Sequence, residues 1–215
     1  MDLLLPRLEC PSRVLSPISA NPEAPHWKNV PFVPLVDVVS GTEPVQATRF
    51  QIAHNDHELR VLFLAEDDYP WANYKNRDEP LYEEEVVEVF LDPVGDLEGY
   101  FEFEVNPNNA RLDLVLRRVR SGYRKDFRWI CEGFSSEVRI AEGVWTTEIA
   151  IPFASLGNAA PVGEWRANFY RIDRPQGKLW ELSAWSPTCV AAFHVPQRFG
   201  ILTFEGDSRE GDSRF

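Results

Sequence analysis

Alternating apolar and polar residues dominate the chain, and helical periodicity is almost absent. The strongest runs, residues 48–53 and 59–65, flank the turn-forming sequence HNDHE and predict a β-hairpin. A second hairpin is predicted between residues 84–92 and 100–106, across the turn DPVGDLEG. Further strands are predicted at 27–37, 111–117, 129–140, 145–151, 165–171, 179–185 and after Gly200, with a short helical turn at 152–156.

This spacing of strands and turns is typical of an all-β fold. We expect a single antiparallel β-sandwich of immunoglobulin or jelly-roll type, with about 9 to 11 strands and at most short helical turns, over residues 1–205. Residues 1–16 form a proline-rich lead-in that can run along a sheet edge. Residues 206–215 consist of GDSRE followed by GDSRF and are expected to be a disordered tail.

The second hairpin predicts a row of acids on one face of the sheet. In its first strand Glu88 lies between apolar neighbours, so a largely buried strand carries a carboxylate in its middle. In its second strand Glu102 and Glu104 alternate with Phe101 and Phe103. Antiparallel pairing therefore places both acids beside Glu88.

Aromatic side chains beside polar ones suggest a sugar site, because sugars present apolar C–H faces ringed by hydroxyl groups. The loop at 71–82 is rich in aromatic residues, and Trp185 is predicted to leave its strand into a loop just before Pro187. The candidate sugar-binding residues are Tyr82 and Trp185 as stacking platforms, Glu88, Glu104, Asn106 and Arg77 as hydrogen-bonding partners, and Trp71 as an additional ring.

The charge balance narrows the choice of partners. With 22 basic and 34 acidic side chains, the net charge of −12 opposes binding to nucleic acid or to anionic membranes. No run approaches the roughly 20 apolar residues of a membrane-spanning helix. We expect a carbohydrate ligand, no nucleic-acid or membrane partner, and a monomer or weak homo-oligomer.

Cysteine spacing and the first residues bear on the compartment. Cys10, Cys131 and Cys189 form no CxxC motif, so neither a disulfide framework nor a zinc site is indicated. Three buried free thiols are expected, and the alternative is that one pair forms a disulfide in an oxidising compartment. The sequence MDLLLPRLEC has no basic region ahead of a long apolar run, so no signal peptide is predicted. A cytoplasmic location is expected for the chain as it stands.

The turn between the strands of the second hairpin is a candidate calcium site. Asp92, Asp96 and Glu98 supply oxygen atoms around the bend at Gly95, and hard cations prefer oxygen ligands. Val94 stands where a calcium loop would place a second aspartate, so a plain acidic turn is the alternative. No cofactor is required by any motif.

An enzyme is the second functional hypothesis. Glu88 with Glu102 or Glu104 could supply the two carboxyl groups of a glycoside hydrolase. The chain has no GxSxG, HExxH or phosphate-binding loop motif that would indicate nucleophilic, zinc or nucleotide chemistry.

Several sequence blocks resemble family 9 carbohydrate-binding modules and their relatives. The blocks are PLYEEEVVEVFLDP, YFEFEVNP, WTTEIAIPFASLG, GEWRANFYRID, LSAWSPT and FHVPQRFGILTF, within residues 17–205. The resemblance implies a β-sandwich with DOMON-like relatives that binds sugars between two aromatic rings, often at the reducing end of a chain. It also implies frequent structural calcium and a usual setting beside secreted glycosidases.

The resemblance assigns roles to individual positions. The second stacking tryptophan corresponds to Trp185, the first corresponds to Tyr82, and the hydrogen-bonding glutamate corresponds to Glu88. Glu104 stands where the family has an arginine, so the hydroxyl contacts are expected to differ. A DOMON-like haem domain is a third hypothesis, and its axial ligands would have to come from Met1, His26, His54, His57 or His194.

Overall fold

Two β-sheets pack face to face in this protein, in a computed structural model that describes residues 4–175, 177 and 179–206. Four short 3-10 turns, at Pro25–Trp27, Leu81–Glu83, Phe153–Leu156 and Pro196–Arg198, are the helical segments of this part of the chain. The strands in the described residues are β1 (Arg7–Cys10), β2 (Val33–Pro34), β3 (Val36–Asp37), β4 (Thr48–His54), β5 (Glu58–Glu66), β6 (Val86–Asp92), β7 (Gly99–Val105), β8 (Arg111–Val119), β9 (Gly122–Asp126), β10 (Ser135–Ala141), β11 (Val144–Pro152), β12 (Trp165–Asp173), β13 (Glu181–Ala184) and β14 (Gly200–Phe204).

The larger sheet has nine strands and the smaller sheet has five. In the larger sheet the order is β1-β14-β12-β6-β7-β8-β9, and β13 lies between β12 and β3. The smaller sheet has the order β10-β11-β5-β4-β2. Both predicted hairpins, β4–β5 and β6–β7, are present with antiparallel pairing. The predicted all-β sandwich is therefore confirmed.

The described residues contain more strands than the sequence pattern indicated. Strand β1 lies in the proline-rich lead-in and pairs in parallel with β14 at a sheet edge, so one pair of the sandwich is not antiparallel. Strand β9, which contains Arg124 and Lys125, follows β8 and pairs with β8. Strands β2 and β3 have only two residues each. The pattern gave no separate strands for β1 and β9, and it predicted one strand at 27–37 where β2 and β3 lie.

The larger sheet is buried on both faces. Val87, Val89 and Leu91 of β6 face the smaller sheet and belong to the core between the sheets. Val86 and Phe90 point the other way, into a second apolar cluster on the outer face of the larger sheet. The aromatic members of this second cluster include Tyr100, Tyr170, Phe193 and Phe199.

A loop segment at residues 186–199 covers part of this outer face. The rings of Tyr170 and Phe193 stack with centroids 4.2 Å apart, and the Tyr170 hydroxyl donates to the Phe193 carbonyl at 3.0 Å. The Asn168 side chain donates to the Tyr170 hydroxyl at 2.8 Å and accepts from the Ser186 backbone N–H at 2.9 Å. These bonds fix the start and the middle of the loop on β12.

Three further sequence expectations can be compared with the described residues. All three thiols are free, and Cys10 and Cys131 are buried, but Cys189 is exposed because it lies in the covering loop. No helix among the described residues is long and apolar enough to cross a membrane. The predicted tail lies outside the described residues except for Gly206.

Candidate functional site

A cleft of about 400 Å³ opens on the outer face of the larger sheet. We use the term cleft for this space throughout. Aromatic and aliphatic side chains form its walls, and acidic side chains lie at its floor. The lining residues are Tyr82, Trp180, Phe193, His194, Ile172, Leu182, Ala191, Ala192, Lys125, Glu88 and Glu102.

Two aromatic rings on the cleft wall come from separate loops. Tyr82 lies in the short turn before β6 and is half-buried, with the Lys125 ammonium 5.2 Å from its ring centroid. Trp180, just before β13, is 49% exposed. The Arg174 guanidinium lies 3.8 Å from the centroid of the Trp180 ring and 5.4 Å from that of Trp71. Trp71 therefore supports Trp180 through Arg174 rather than lining the cleft.

The pairing of β12 with β13 explains why Trp180 faces the cleft. Leu182 pairs with Ile172, and both side chains line the cleft. Because side chains alternate between the faces of a sheet, Trp180 and Ala184 share the side of Leu182. Trp185 is on the opposite side.

Trp185, predicted as the second stacking platform, lies in the core between the two sheets. It is 7% exposed, and its ring centroid is 5.7 Å from that of Phe169 and 6.4 Å from that of Phe50. Its backbone N–H donates to the Phe169 carbonyl at 2.9 Å, so strand pairing continues through Trp185 instead of ending before it. A Cβ atom on Gly200 would lie 2.3 Å from the indole ring. The prediction that Trp185 faces Tyr82 is therefore wrong.

The predicted acidic row is present and forms the floor of the cleft. Glu88 and Glu104 are direct cross-strand neighbours on β6 and β7, and Glu102 pairs with Phe90 beside them. The three carboxylates, which we call the floor triad, are at most 2% exposed, and one oxygen of each lies within 4.8 Å of the others. Glu88 and Glu102 line the cleft, whereas Glu104, beside Glu88 on β7, does not.

The floor triad has few compensating partners. The Lys125 ammonium lies 3.6 Å from Oε1 of Glu102. Oε2 of Glu102 and both oxygens of Glu104 are buried and have no hydrogen-bond donor outside the triad. The Glu102 and Glu104 carboxyl groups lie within hydrogen-bonding distance of each other, a contact that requires a proton on one of them. Burial raises the pKa of Glu88 and of Glu104 well above the ordinary value, and the neighbouring carboxylates raise it further. Burial also raises the pKa of Glu102, and Lys125 opposes that rise.

His194 adds a neutral imidazole to the cleft wall. Burial lowers its pKa to about 4, so the ring is uncharged at neutral pH. Its Nδ1 lies 2.8 Å from the Tyr100 hydroxyl, and its ring stacks on Phe90 with centroids 5.4 Å apart. The imidazole is therefore held in place by aromatic neighbours of the second apolar cluster.

Asn106, predicted as a sugar contact, makes its side-chain hydrogen bonds to backbone groups. Its Nδ2 donates to the Tyr74 carbonyl at 2.9 Å, and its Oδ1 accepts from the N–H groups of Asn108 and Ala110 at 3.1 and 2.9 Å. The side chain is fully buried. The structure therefore places Asn106 as an anchor of the loop at 71–82 and of the turn after β7, not in the cleft.

Arg77 also lies outside the cleft. Its guanidinium forms an ion pair with Asp113 of β8 and lies 5.8 Å from the centroid of Phe134. The second oxygen of Asp113 accepts from the Cys131 backbone N–H at 2.6 Å. Arg77 thus ties the loop at 71–82 to β8, and of the predicted sugar contacts only Tyr82 and Glu88 line the cleft.

The predicted calcium turn does not bring its three acids together. Two groups of three carboxylates in the described residues could each hold a metal ion, and neither contains Asp92, Asp96 or Glu98. Asp92 instead accepts from the backbone N–H groups of Val94, Gly95 and Leu97 at 3.1, 2.8 and 3.0 Å. Its oxygens stabilise the turn, which accounts for an acid at this position without a cation.

Sequence reasoning missed most of the cleft lining, including its aromatic and basic side chains Trp180, Lys125, Phe193 and His194. Trp180 could have been found, since it shares the alternation of Leu182 and Ala184. Lys125 could have been found once β9 was paired, because it lies opposite Leu116 of the second apolar cluster. Phe193 and His194 lie in a loop without periodicity, so no pattern would have placed them.

Solved structures with the same fold come from two bacteria. A candidate carbohydrate-binding protein from Bacteroides uniformis superposes with a TM-score of 0.76 at 21% identity, covering 94% of this chain and 100% of that one. A family 9 carbohydrate-binding module from Caldicellulosiruptor kristjanssonii in complex with glucose has a TM-score of 0.70 at 18% identity, covering 95% and 98%. A module of that family and organism with cellotriose gives 0.72 at 17% identity, covering 98% and 99%.

The family assignment rests on a match along most of the sequence. No curated protein matches this chain. Residues 20–207 match the family described as Carbohydrate family 9 binding domain-like, which is well over half of the 215 residues. The chain therefore belongs to the carbohydrate family 9 binding domain-like family.

Proposed function

We propose that the protein is a non-catalytic carbohydrate-binding module and that the cleft holds its sugar ligand. The observation that carries this proposal is the presence of Tyr82 and Trp180 on the walls of one cleft whose floor carries Glu88 and Glu102. Aromatic faces match the apolar C–H faces of a sugar ring, and carboxylates accept hydrogen bonds from its hydroxyl groups. Family membership and the two sugar complexes among the structural neighbours support the same ligand class.

The dimensions of the cleft suit a mono- or oligosaccharide. Its volume of about 400 Å³ lies at the small end of the range for small-molecule sites. The exposed Trp180 stands at its rim, whereas the floor triad is almost fully buried. This gradient suits a ligand whose terminal ring enters the cleft while the rest of a chain stays in solvent.

Calorimetric titration with glucose, cellobiose and xylobiose tests this function. The Tyr82→Ala variant removes one aromatic wall, so we expect about tenfold weaker binding, equivalent to about 1.4 kcal/mol. Tyr69→Ala is the matched control, because Tyr69 is 53% exposed and does not line the cleft. The proposal fails if none of these sugars produces heat and a wider glycan panel leaves tryptophan fluorescence unchanged.

One observation keeps a glycoside hydrolase as the second candidate. Oxygens of Glu88 and Glu102 lie within 4.8 Å, close to the roughly 5 Å between the carboxyl groups of retaining enzymes. Lys125 lies beside Glu102 and favours its ionised form, while Glu88 is buried, so the two could take different protonation states. Incubation with aryl glycosides separates the candidates, since a binding module releases no chromophore and a hydrolase would lose release in Glu88→Gln.

A further inference from the structure

The floor triad lacks the charge compensation that buried carboxylates require. Glu88, Glu102 and Glu104 carry three potential negative charges, and the cation that contacts them is Lys125, whose side chain is 30% exposed. Both oxygens of Glu104 and one of Glu102 have no hydrogen-bond donor outside the triad, although Glu104 is 0% and Glu102 is 1% exposed. Buried ionised groups are stable only when they are paired or coordinate a metal. The triad therefore needs either protons or a further cation.

The oxygen atoms of the floor triad are close enough together to share one cation of the size of calcium. One oxygen from each carboxylate lies within 4.8 Å of the others. Calcium binds oxygen at about 2.3 to 2.6 Å, so two ligands on opposite sides of one ion are about 5 Å apart. Three carboxylates supply three to six of the six to eight oxygens that calcium takes. The remaining ligands would have to come from water or from another molecule.

The position of the triad leaves one side open for those remaining ligands. Glu88 and Glu102 line the cleft, and Glu104 lies beside Glu88 without lining it. An ion among the three would be held by protein on the buried side and would face the cleft on the other. Vicinal sugar hydroxyls are hard oxygen donors and could complete its coordination from that side.

We infer that Glu88, Glu102 and Glu104 form a calcium site at the floor of the cleft, and that the bound ion presents open coordination positions to the hydroxyl groups of the ligand. The coordination of ligand hydroxyls rests on the proposed sugar-binding function, whereas the calcium site itself does not. The site differs from the turn at Asp92, Asp96 and Glu98, where backbone N–H groups occupy the Asp92 carboxylate.

Titration of CaCl2 into the EDTA-treated and desalted full chain tests the site by calorimetry. We expect binding at the floor triad, at least tenfold weaker binding in Glu104→Gln, and an unchanged affinity in Glu85→Gln. Glu85 is the matched control, because it is an equally buried glutamate of the other carboxylate group. Glu102→Gln is the second test variant, used if the urea midpoint of Glu104→Gln shows a folding defect.

Three results would overturn the calcium site. These are no heat and no thermal shift with millimolar CaCl2, an affinity that Glu104→Gln and Glu102→Gln both retain, or a loss of binding in Glu85→Gln alone. The last result would place the ion in the other carboxylate group.

A cellotriose titration, with saturating CaCl2 and again with EDTA, separates this inference from the proposed function. Tighter sugar binding with calcium supports the bridging role, and equal affinity in both conditions contradicts it. Calcium binding without binding of any sugar would remove the proposed function and leave the metal site standing. Sugar binding without any calcium binding would overturn the inference and leave the function standing.

Discussion

The described residues contain two groups of three buried carboxylates, and only one of the two groups surrounds a buried cation. The first is the floor triad. The second, which we call the arginine cluster, consists of Asp67, Glu85, Asp173 and Arg171. Glu85 belongs to the arginine cluster and Glu88 to the floor triad, although they are only three positions apart.

The arginine cluster encloses a fully buried guanidinium, although the oxygens of Glu85 and Asp173 have no hydrogen-bond donor other than a neighbouring carboxyl group. Arg171 is 0% exposed, donates to Asp67 at 2.7 Å and lies 3.3 Å from Asp173. It also donates to the Thr48 hydroxyl and to the Glu66 carbonyl, at 3.0 and 2.7 Å. The guanidinium therefore joins β12 of the larger sheet to the ends of β4 and β5 in the smaller sheet.

The contrast separates a structural network from a candidate binding site. The rigid guanidinium of Arg171 supplies positive charge inside the arginine cluster, where it forms ion pairs with Asp67 and Asp173. The floor triad has only a half-exposed lysine on β9 and opens into the cleft. Buried acids alone therefore do not mark a site, whereas acids without an internal cation that border a cleft do.

The largest expected effect is on the arginine cluster. The Arg171→Met variant keeps a long side chain but leaves three buried carboxylates without their cation, so it should destabilise the protein by about 3 to 5 kcal/mol. Urea unfolding at neutral pH measures this change. Lys125→Met, the equivalent change at the floor triad, should cost less than about 1 kcal/mol because Lys125 is partly solvated. Similar losses in the two variants would refute the comparison.

A pH series tests the protonation of Glu85. Burial raises its pKa from 4.5 to about 9, and Asp67 adds to the rise. The folded protein then binds a proton that the unfolded chain releases, so stability from this group is complete below pH 4.5 and is lost as the pH rises toward 9. The free energy of unfolding should fall by up to about 1.4 kcal/mol per pH unit across that range.

Glu85→Gln should flatten this pH dependence, because the amide does not titrate. Unfolding free energies at several pH values, measured alongside the exposed control Glu132→Gln, provide the comparison. A slope in Glu85→Gln that equals that of the unmodified protein would show that Glu85 is ionised in the folded state.

The smallest expected effect concerns the cation that borders the floor triad. Lys125 competes with any other cation for Glu102, so Lys125→Met should raise calcium affinity by up to about fivefold. Arg124→Met, a neighbouring basic residue on the same strand, is the control. Weaker calcium binding in Lys125→Met would mean that the ammonium supports the site instead of competing with it.

Strand alternation predicted much of this fold but misplaced half of the site. The two hairpins, the burial of β6 on both faces and the acidic row follow from the two-residue period of a strand. The error at Trp185 came from the expectation that its ring leaves the strand before Pro187, whereas its backbone stays hydrogen-bonded to β12 and its ring packs in the core. A shift of one residue exchanges the two faces of a strand. The register of β13 therefore decides whether Trp180 or Trp185 points toward the cleft.

Other contacts had no signal in the sequence. Asn106 and Arg77 are polar residues near an aromatic loop. Nothing in their spacing predicts that Asn106 bonds to backbone groups or that Arg77 pairs with Asp113. The covering loop that carries Phe193 and His194 has no period, and its position depends on the contacts of Tyr170 and Asn168. Tertiary hydrogen bonds decide these positions.

The central claim is that Trp180, not Trp185, contacts the sugar. Calorimetric titration of cellotriose into the unmodified protein, Trp180→Ala and Trp185→Phe tests it directly. We predict about tenfold weaker binding in Trp180→Ala, and an affinity within about twofold of the unmodified protein in Trp185→Phe, whose urea midpoint should fall because a core ring is made smaller. Loss of binding in Trp185→Phe with retention in Trp180→Ala would contradict the account, as would an unmodified protein that binds no sugar.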